Sequence, residues 1–459
     1  MTDLSPRAYR LGLSAVLLLA AAGGLARLAV PPIWLDEASS WHNVSGTWAH
    51  LWQRAIQGED SGGLLYAVLL KPWTALAGTG EAALRLPGVV LWLATIAVLA
   101  RAVRLAWNRR AAVLSAAAAL AHPSLLAAAR QARSYTLLLL LAALALLALA
   151  EAAAGRRRRG AWLLGAASLA AAATHVMGVF VAVGGACAHL AIEGRGAWRR
   201  AAVAAAPALA FALAWTVLIH DRVGRNLQSF WIPGTLVSNI LSMAVLLVVP
   251  LALACAWILG RDSSPRARAV VAGCAAFALP VAFGPALVSA FASNGTHLVQ
   301  LRYALALAPL AAAAAGCALA TLPWRLAASI AALAVAASFP YSASKQAYAP
   351  NARGGQDIRG AAAFLASQSR PGDTALVEPA NNWMPLAYYG WRTAPLDGRE
   401  GGWRRVTGNG EGNAENAEAR AEVWLVRFSR RTSAPPGLLE RATLAGRFGT
   451  VTILRAAPR

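Results

Sequence analysis

Apolar stretches of about 17–25 residues recur along this chain between short arginine-bearing loops, and such a pattern folds as a bundle of membrane-crossing helices. The runs fall at 11–30, 84–106, 111–129, 134–152, 161–176, 177–193, 201–219, 236–259, 269–290, 303–321 and 325–341, so about eleven transmembrane helices are expected. The first follows Arg7 and Arg10 and is read as an uncleaved helix rather than a signal peptide, because more membrane follows it. With 58% hydrophobic and 14% charged residues, the chain is neither a soluble enzyme nor a disordered protein.

The formal net charge of +22 would suggest nucleic acid in a soluble domain. Here the basic residues serve first as topology signals. With the amino end cytoplasmic, Arg109 and Arg110, Arg156 to Arg159, Arg195, Arg199, Arg200, Arg261, Arg266, Arg268 and Arg325 all fall on the inner side. That orientation puts residues 342–459 outside the cell membrane, and no nucleic-acid partner is implied. Cys187, Cys255, Cys274 and Cys317 lie in expected helices without metal-ligand spacing and read as small core residues.

Two outer segments are long enough to carry chemistry. The first, 31–83, opens with Pro31-Pro32-Ile33-Trp34-Leu35-Asp36-Glu37. It continues with Trp48, Leu51, Trp52, Ala55 and Ile56 at helical spacing, opposite His50, Gln53, Arg54 and Gln57, which predicts an interfacial amphipathic helix. The apolar run 64–77, broken by Lys71-Pro72, predicts a second helix lying in the interface. The other segment, 342–459, is richer in Asp, Glu, Asn, Gly and Pro, and its pattern predicts a small α/β domain. A helix is expected near 357–369, strands near 374–378, 422–427 and 449–454, and a flexible loop at 406–420.

The Asp36-Glu37 pair sits where a polar reaction would meet the membrane surface. Two close carboxylates repel, and partial burial also disfavours charge, so one of them suits removal of a proton from a hydroxyl. The alternative is an acidic turn that anchors the interface between Trp34 and Trp41. A second acidic pair, Glu59-Asp60, either holds a divalent cation, shapes the pocket or is solvated loop charge. Arg85, Arg130, Arg133, Arg222, Arg225 and Arg302 break the inside bias and suit a lipid phosphate, or else snorkel to headgroups. His175, at an outer helix end, is a ligand, a donor or a core histidine. The sequons at Asn43 and Asn294 carry little weight.

Four segments then resemble a known family. Pro32-Ile33-Trp34-Leu35-Asp36-Glu37-Ala38-Ser39, Glu81-Ala82-Ala83-Leu84-Arg85-Leu86-Pro87, Ala129-Arg130-Gln131-Ala132-Arg133-Ser134-Tyr135-Thr136-Leu137 and Thr174-His175 look like bacterial members of glycosyltransferase family 39. These belong to the GT-C superfamily, with the protein O-mannosyltransferases and the lipid A aminoarabinose transferases. The likeness covers residues 10–190 by motif and extends more loosely through Arg302-Tyr303, Asp357-Ile358-Arg359-Gly360-Ala361-Ala362 and Pro371-Gly372-Asp373.

The resemblance implies an all-α polytopic membrane protein of GT-C type, with a transmembrane catalytic module over 1–341 and an extracytoplasmic α/β domain over 342–459. It implies a hexosyl- or pentosyltransferase of the cell membrane whose donor is a polyprenyl-phosphate-linked sugar. The acceptor would be a hydroxyl of a glycan, lipid or protein, and the anomeric carbon would invert. Asp36 then occupies the catalytic-base position, beside Glu37. Arg133, Arg222, Arg225 and Arg302 are the candidates for the donor phosphate, and Glu59, Asp60, Tyr135, His175 and Tyr303 for the pocket. Arginine or a divalent metal ion would stabilise the phosphate charge; the ion, with Asp36 and Asp60 as candidate ligands, is the one cofactor considered.

The chain departs from the family at Glu59-Asp60-Ser61-Gly62-Gly63-Leu64-Leu65-Tyr66, where many relatives place a histidine or lysine and two prolines after the acidic residue. The basic contact expected there is missing, which moves the phosphate role to the four arginines. Two other classes compete with the enzyme: a transporter or flippase of a lipid-linked precursor, and a non-catalytic relative that binds a carrier lipid. Transporters place ionisable groups at mid-membrane depth and show paired halves. This chain gathers its charge in the outer loop.

Overall fold

The computed structural model describes residues 3–57, 63–229, 240–241, 243–261, 265–291, 304–345, 356–369, 374–378, 383–393, 404–407, 423–428 and 442–456. Packing divides the chain into two units. The first comprises Met1–Ala26, Thr47–Leu76 and Arg85–Ser342, and the second Arg27–Gly46, Ala77–Leu84 and Ala343–Arg459.

Helices in chain order are α1 Pro6–Leu25, α2 Leu35–Ser45, α3 Trp48–Ile56, α4 Leu64–Ala77, α5 Glu81–Ala106, α6 Arg109–Ala121, α7 Pro123–Ala129, α8 Tyr135–Ala153, α9 Arg157–Thr174, α10 Gly178–Glu193 and α11 Trp198–Ser229. They continue with α12 Val249–Arg261, entered through a π-helical turn at Ala244–Val248, then α13 Pro265–Phe291, α14 Ala308–Leu319 and α15 Trp324–Lys345. Among the described residues, Pro6–Leu25, Glu81–Ala106, Tyr135–Ala153 and Arg195–Ile219 are long and apolar enough to cross a membrane. Six further apolar helical stretches are shorter, including Gly178–Glu193, Val271–Gly284 and Leu305–Leu319. The chain is a multi-pass membrane protein, and length with composition alone gives fewer crossings than the eleven apolar runs.

The run 111–129, expected as one span, is a pair of helices bent by 70°. The cause is Pro123, which clashes with helical geometry in the residue before it, and His122 accordingly takes φ −80° and ψ 109°. Pro123 then opens α7, where its missing N–H costs nothing.

In the first unit α8 packs on α9, α9 on α11, α10 on α13 and α6 on α14. Small residues bring the backbones together. A Cβ on Gly184 would lie 2.6 Å from the Phe277 carbonyl oxygen, and one on Gly316 would collide with Ser115. These two glycines set the α10–α13 and α6–α14 approaches.

Acidic side chains at the ends of α8 and α10 gather the arginines that the sequence places on one side. Glu151, fully buried, meets Arg156 at 2.7 Å, Arg101 at 3.6 Å and Arg159 at 3.9 Å. Glu193 takes Arg200 at 2.5 Å and Arg157 at 3.8 Å. Glu151→Ala removes an acceptor of charge-assisted bonds, worth about 1.5–3 kcal/mol each before screening of half-exposed arginines reduces the figure. A melting temperature several degrees lower is expected in detergent, and an unchanged one would contradict the assignment.

The helix α3 buries Leu51 and Arg54 and leaves Trp48, Trp52 and Ile56 exposed along one stripe. The tryptophan stripe fits an interfacial helix. Arg54, expected on the polar face, is instead buried. Lys71 of α4 holds its ammonium 5.4 Å from the Trp48 ring centre.

The second unit contains α16 Ile358–Gln368, α17 Trp383–Tyr388 and a six-stranded sheet ordered β2-β3-β1-β4-β6-β5. Its strands are β1 Thr374–Glu378, β2 Arg392–Thr393, β3 Arg404–Thr407, β4 Val423–Arg427, β5 Ala442–Phe448 and β6 Val451–Ala456. Among the described residues only β1 and β4 run parallel, with Leu376 opposite Leu425. Asp357 caps α16 by accepting the Gly360 N–H at 2.9 Å, and α16 lies on the sheet through Phe364, which meets Trp424 edge-on at 6.4 Å. Ile358, Leu365, Ala375, Val377, Trp424, Val426 and Ile453 form the buried centre.

Candidate active site

In the second unit, residues from the segment after α1 and from the carboxyl-terminal part of the chain come together. The chain leaves the end of α1 through Arg27, the one described non-glycine residue with positive φ, at 51°, and then passes Pro31 and Pro32. Trp34 is extended at φ −107° and ψ 174°, and α2 starts at Leu35. Asp36 and Glu37 therefore stand in the first turn, where the helix dipole favours negative charge. Glu37 is completely buried, whereas Asp36 is partly exposed. Of the pair, Asp36 is the carboxylate open to solvent.

Helix α2 is braced by α17. Trp41 meets Tyr388 edge-on at 5.4 Å and 89°, and His42 meets Trp383 edge-on at 5.0 Å and 80°. Asn43, the acceptor position of the first sequon, is buried here. The Tyr388 hydroxyl donates to the Thr79 carbonyl at 2.9 Å. The Tyr389 hydroxyl accepts the Ile33 N–H at 2.8 Å and donates to Glu81. Glu81 also receives Arg359, whose guanidinium reaches the Ala29 carbonyl at 2.8 Å. The hydrogen bond from Arg359 to Glu81 raises the guanidinium's affinity for its proton. Burial, then Glu81, pushes the Tyr389 phenol well above its usual range, so it stays a donor.

In the first unit, Arg133, Tyr135 and His175 are neighbours. The Arg133 guanidinium lies 5.7 Å from the Tyr135 ring centre, and that ring is 5.6 Å from the His175 imidazole at 43°. Tyr135 and His175 are both buried. His175 interrupts the helical path between α9 and α10 in an extended conformation, and its Nδ1 accepts the Met177 N–H at 3.1 Å. In the neutral ring the proton is then on Nε2.

Arg130 has a different task from the one its outer position suggested. Its guanidinium is 2% exposed and donates to the carbonyls of Gly23 at 3.1 Å, Gly24 at 2.9 Å and Ala26 at 2.5 Å, closing the end of α1. Arg85 is fully buried in α5. Arg222 and Arg225 lie on α11, with side chains outside the described residues, as are Glu59, Asp60, Arg302, Tyr303 and the sequon at Asn294. Among the described residues no three His, Cys, Asp or Glu side chains cluster to hold a metal ion. Cys255, Cys274 and Cys317 line an apolar crevice with Leu99, Val103 and Trp107, in keeping with core packing.

Glu81, Arg359, Tyr388 and Tyr389 were not singled out by sequence. Glu81 and Arg359 lie inside the quoted motif segments, but their pairing spans 278 positions and has no local signature.

Residues 61–220 match the model of the family described as dolichyl-phosphate-mannose-protein mannosyltransferase. This third of the chain contains Arg133, Tyr135 and His175. No curated protein matches the chain. Among solved structures, ArnT from Cupriavidus metallidurans bound to undecaprenyl phosphate aligns with TM-score 0.59 and 15% identity, covering 99% of this chain and 100% of that one. The apo state of the same protein aligns with TM-score 0.59 and 16% identity, over 98% and 99% of the two chains. Residues 61–220 are thus similar in sequence to that mannosyltransferase family, and nearly the full length of the chain shares the fold of ArnT.

Proposed function

We propose that the chain transfers a sugar from a polyprenyl-phosphate donor to a hydroxyl acceptor at the outer face of the cell membrane, with inversion at the anomeric carbon. The observation that carries this reading is the full-length likeness to a structure holding undecaprenyl phosphate. The partly exposed Asp36, at the start of its own helix beside a buried Glu37, supplies the acid–base group. The acceptor is a glycan, lipid or protein hydroxyl. In this reading the amino end is cytoplasmic and the α/β domain extracytoplasmic, which the arginine distribution supports.

In this mechanism Asp36 takes the acceptor hydroxyl proton as the oxygen bonds to C1 of the sugar. The C1–O bond to the phosphate breaks, and its electron pair leaves with polyprenyl phosphate. The leaving phosphate is already a stable anion, so a general acid adds little. Cationic donors that strengthen their contact as charge develops are needed instead. Arg133, fixed over Tyr135, takes this role together with Arg222, Arg225 and Arg302. Tyr135, His175, Tyr303, Glu59 and Asp60 shape the pocket. Asp36 and Asp60 are the proposed ligands of a divalent ion, which would help stabilise the charge on the leaving phosphate.

Release of polyprenyl phosphate from a polyprenyl-phosphate sugar by the purified chain in lipid vesicles, dependent on an acceptor extract, tests the reading; binding of the lipid without any turnover would overturn it. Arg133→Ala is expected to weaken undecaprenyl phosphate binding by about tenfold or more, the worth of one charge-assisted hydrogen bond. Arg133→Lys keeps charge but loses the planar fork and recovers only part. Titration of the lipid against intrinsic fluorescence reads both, and unchanged affinity in Arg133→Ala would remove Arg133 from the phosphate site.

A further inference from the structure

We infer that Tyr389, Glu81 and Arg359 are positioning residues that set the place of Asp36 from the carboxyl-terminal domain, an inference that rests on the role proposed above for Asp36. The segment that delivers Asp36 is short of backbone donors at its two prolines. Pro31 and Pro32 have no N–H, so across 31–33 the Ile33 amide is the one backbone donor. That amide goes to the Tyr389 hydroxyl at 2.8 Å. On the other side of the prolines, the Ala29 carbonyl takes Arg359 at 2.8 Å. Both ends of the Pro31-Pro32 segment are therefore tied to side chains from more than three hundred positions away.

Glu81 joins the two ties. It accepts from Tyr389 and from Arg359, so the hydroxyl that receives Ile33 is oriented by the carboxylate that orients the guanidinium on Ala29. Ile33 itself is fully buried, which gives the anchor a packed base. Three residues later the chain reaches Asp36, with Trp34 already in the extended geometry that starts α2. A base displaced by about 1 Å from its acceptor costs up to 10²-fold in rate. The anchor acts on chemistry through that distance, without touching substrate.

The test compares Tyr389→Phe with the native chain, each with and without Asp36→Asn. Tyr389→Phe is expected to lower kcat by about ten- to a hundredfold while the KM for the lipid donor stays within about twofold. In the Asp36→Asn background the same change should have almost no further effect on kcat, because its influence runs through Asp36. An equal loss in both backgrounds would show a merely structural role and overturn the inference. Hydrogen exchange of the Ile33 amide gives a readout independent of turnover, since the two prolines before it contribute no amide hydrogen. Exchange should quicken at least about tenfold when its acceptor is lost, and unchanged exchange would also overturn the inference. Where Tyr389→Phe does not yield folded protein, Glu81→Gln, which keeps the shape and one acceptor, is read by the same two measurements. Absence of transfer by the native chain would count against the proposed function, while the anchor would still stand or fall on Ile33 exchange.

Discussion

Asp36→Asn is expected to lower sugar transfer by about 10²–10⁴-fold, the usual worth of a positioned general base. The substitution keeps size and shape but removes the negative charge and with it the ability to take a proton. Binding of polyprenyl phosphate should therefore persist, and the loss should appear in kcat. The neighbouring carboxylate sharpens the test. Glu37 is fully buried while Asp36 is partly exposed, so Glu37→Gln is expected to act first on stability. Initial rates in vesicles with a saturating lipid-linked sugar measure both variants. Near-normal transfer by Asp36→Asn would remove Asp36 from the base position.

The second large effect is structural. Arg130→Ala strips three carbonyls, Gly23, Gly24 and Ala26, of a buried guanidinium at the end of α1. A helix carboxyl end carries partial negative charge and orphan acceptors, so a cation is favourable there. Losing charge-assisted bonds in a buried site costs roughly 3 kcal/mol or more. The expected outcome is a clearly lower melting temperature in detergent, with partial recovery in Arg130→Lys. Unchanged stability with lost affinity for the lipid phosphate would return Arg130 to the phosphate candidates.

Arg130 also shows why the sequence was legible in some places and not in others. An arginine on the outer side reads as a phosphate ligand or a snorkelling side chain, because a single sequence does not reveal that the end of another helix lies against it. The apolar runs, by contrast, announce their helices by composition alone, and α8 and α10 begin within a residue of the expected positions. The strand at Thr374–Glu378 and the helix at Ile358–Gln368 were equally visible, through their local patterns. The strand Ala442–Phe448 was not, since Leu444 faces outward and Gly446 marks a register irregularity that breaks the alternation.

The same division holds at the candidate site. Asp36 stood out because Pro31-Pro32 and two flanking tryptophans frame a pair of carboxylates at the edge of an apolar run. The neighbourhood of Tyr135 and His175 was suggested only by motif resemblance, although their rings lie 5.6 Å apart. The anchor of Ile33 was invisible for a different reason: it needs Glu81, Arg359 and Tyr389 at once, from three separate segments. Long-range polar networks leave no periodicity behind.

The central claim is that this chain consumes a polyprenyl-phosphate sugar with Asp36 as base. Mass spectrometry of polyprenyl-phosphate sugars and envelope glycans, in cells lacking the gene and complemented with either the native chain or Asp36→Asn, tests it most directly. The account predicts accumulation of one lipid-linked sugar and loss of one glycoconjugate, both reversed by the native chain alone. Full rescue by Asp36→Asn would contradict it and point to transport, scaffolding or chemistry seated elsewhere.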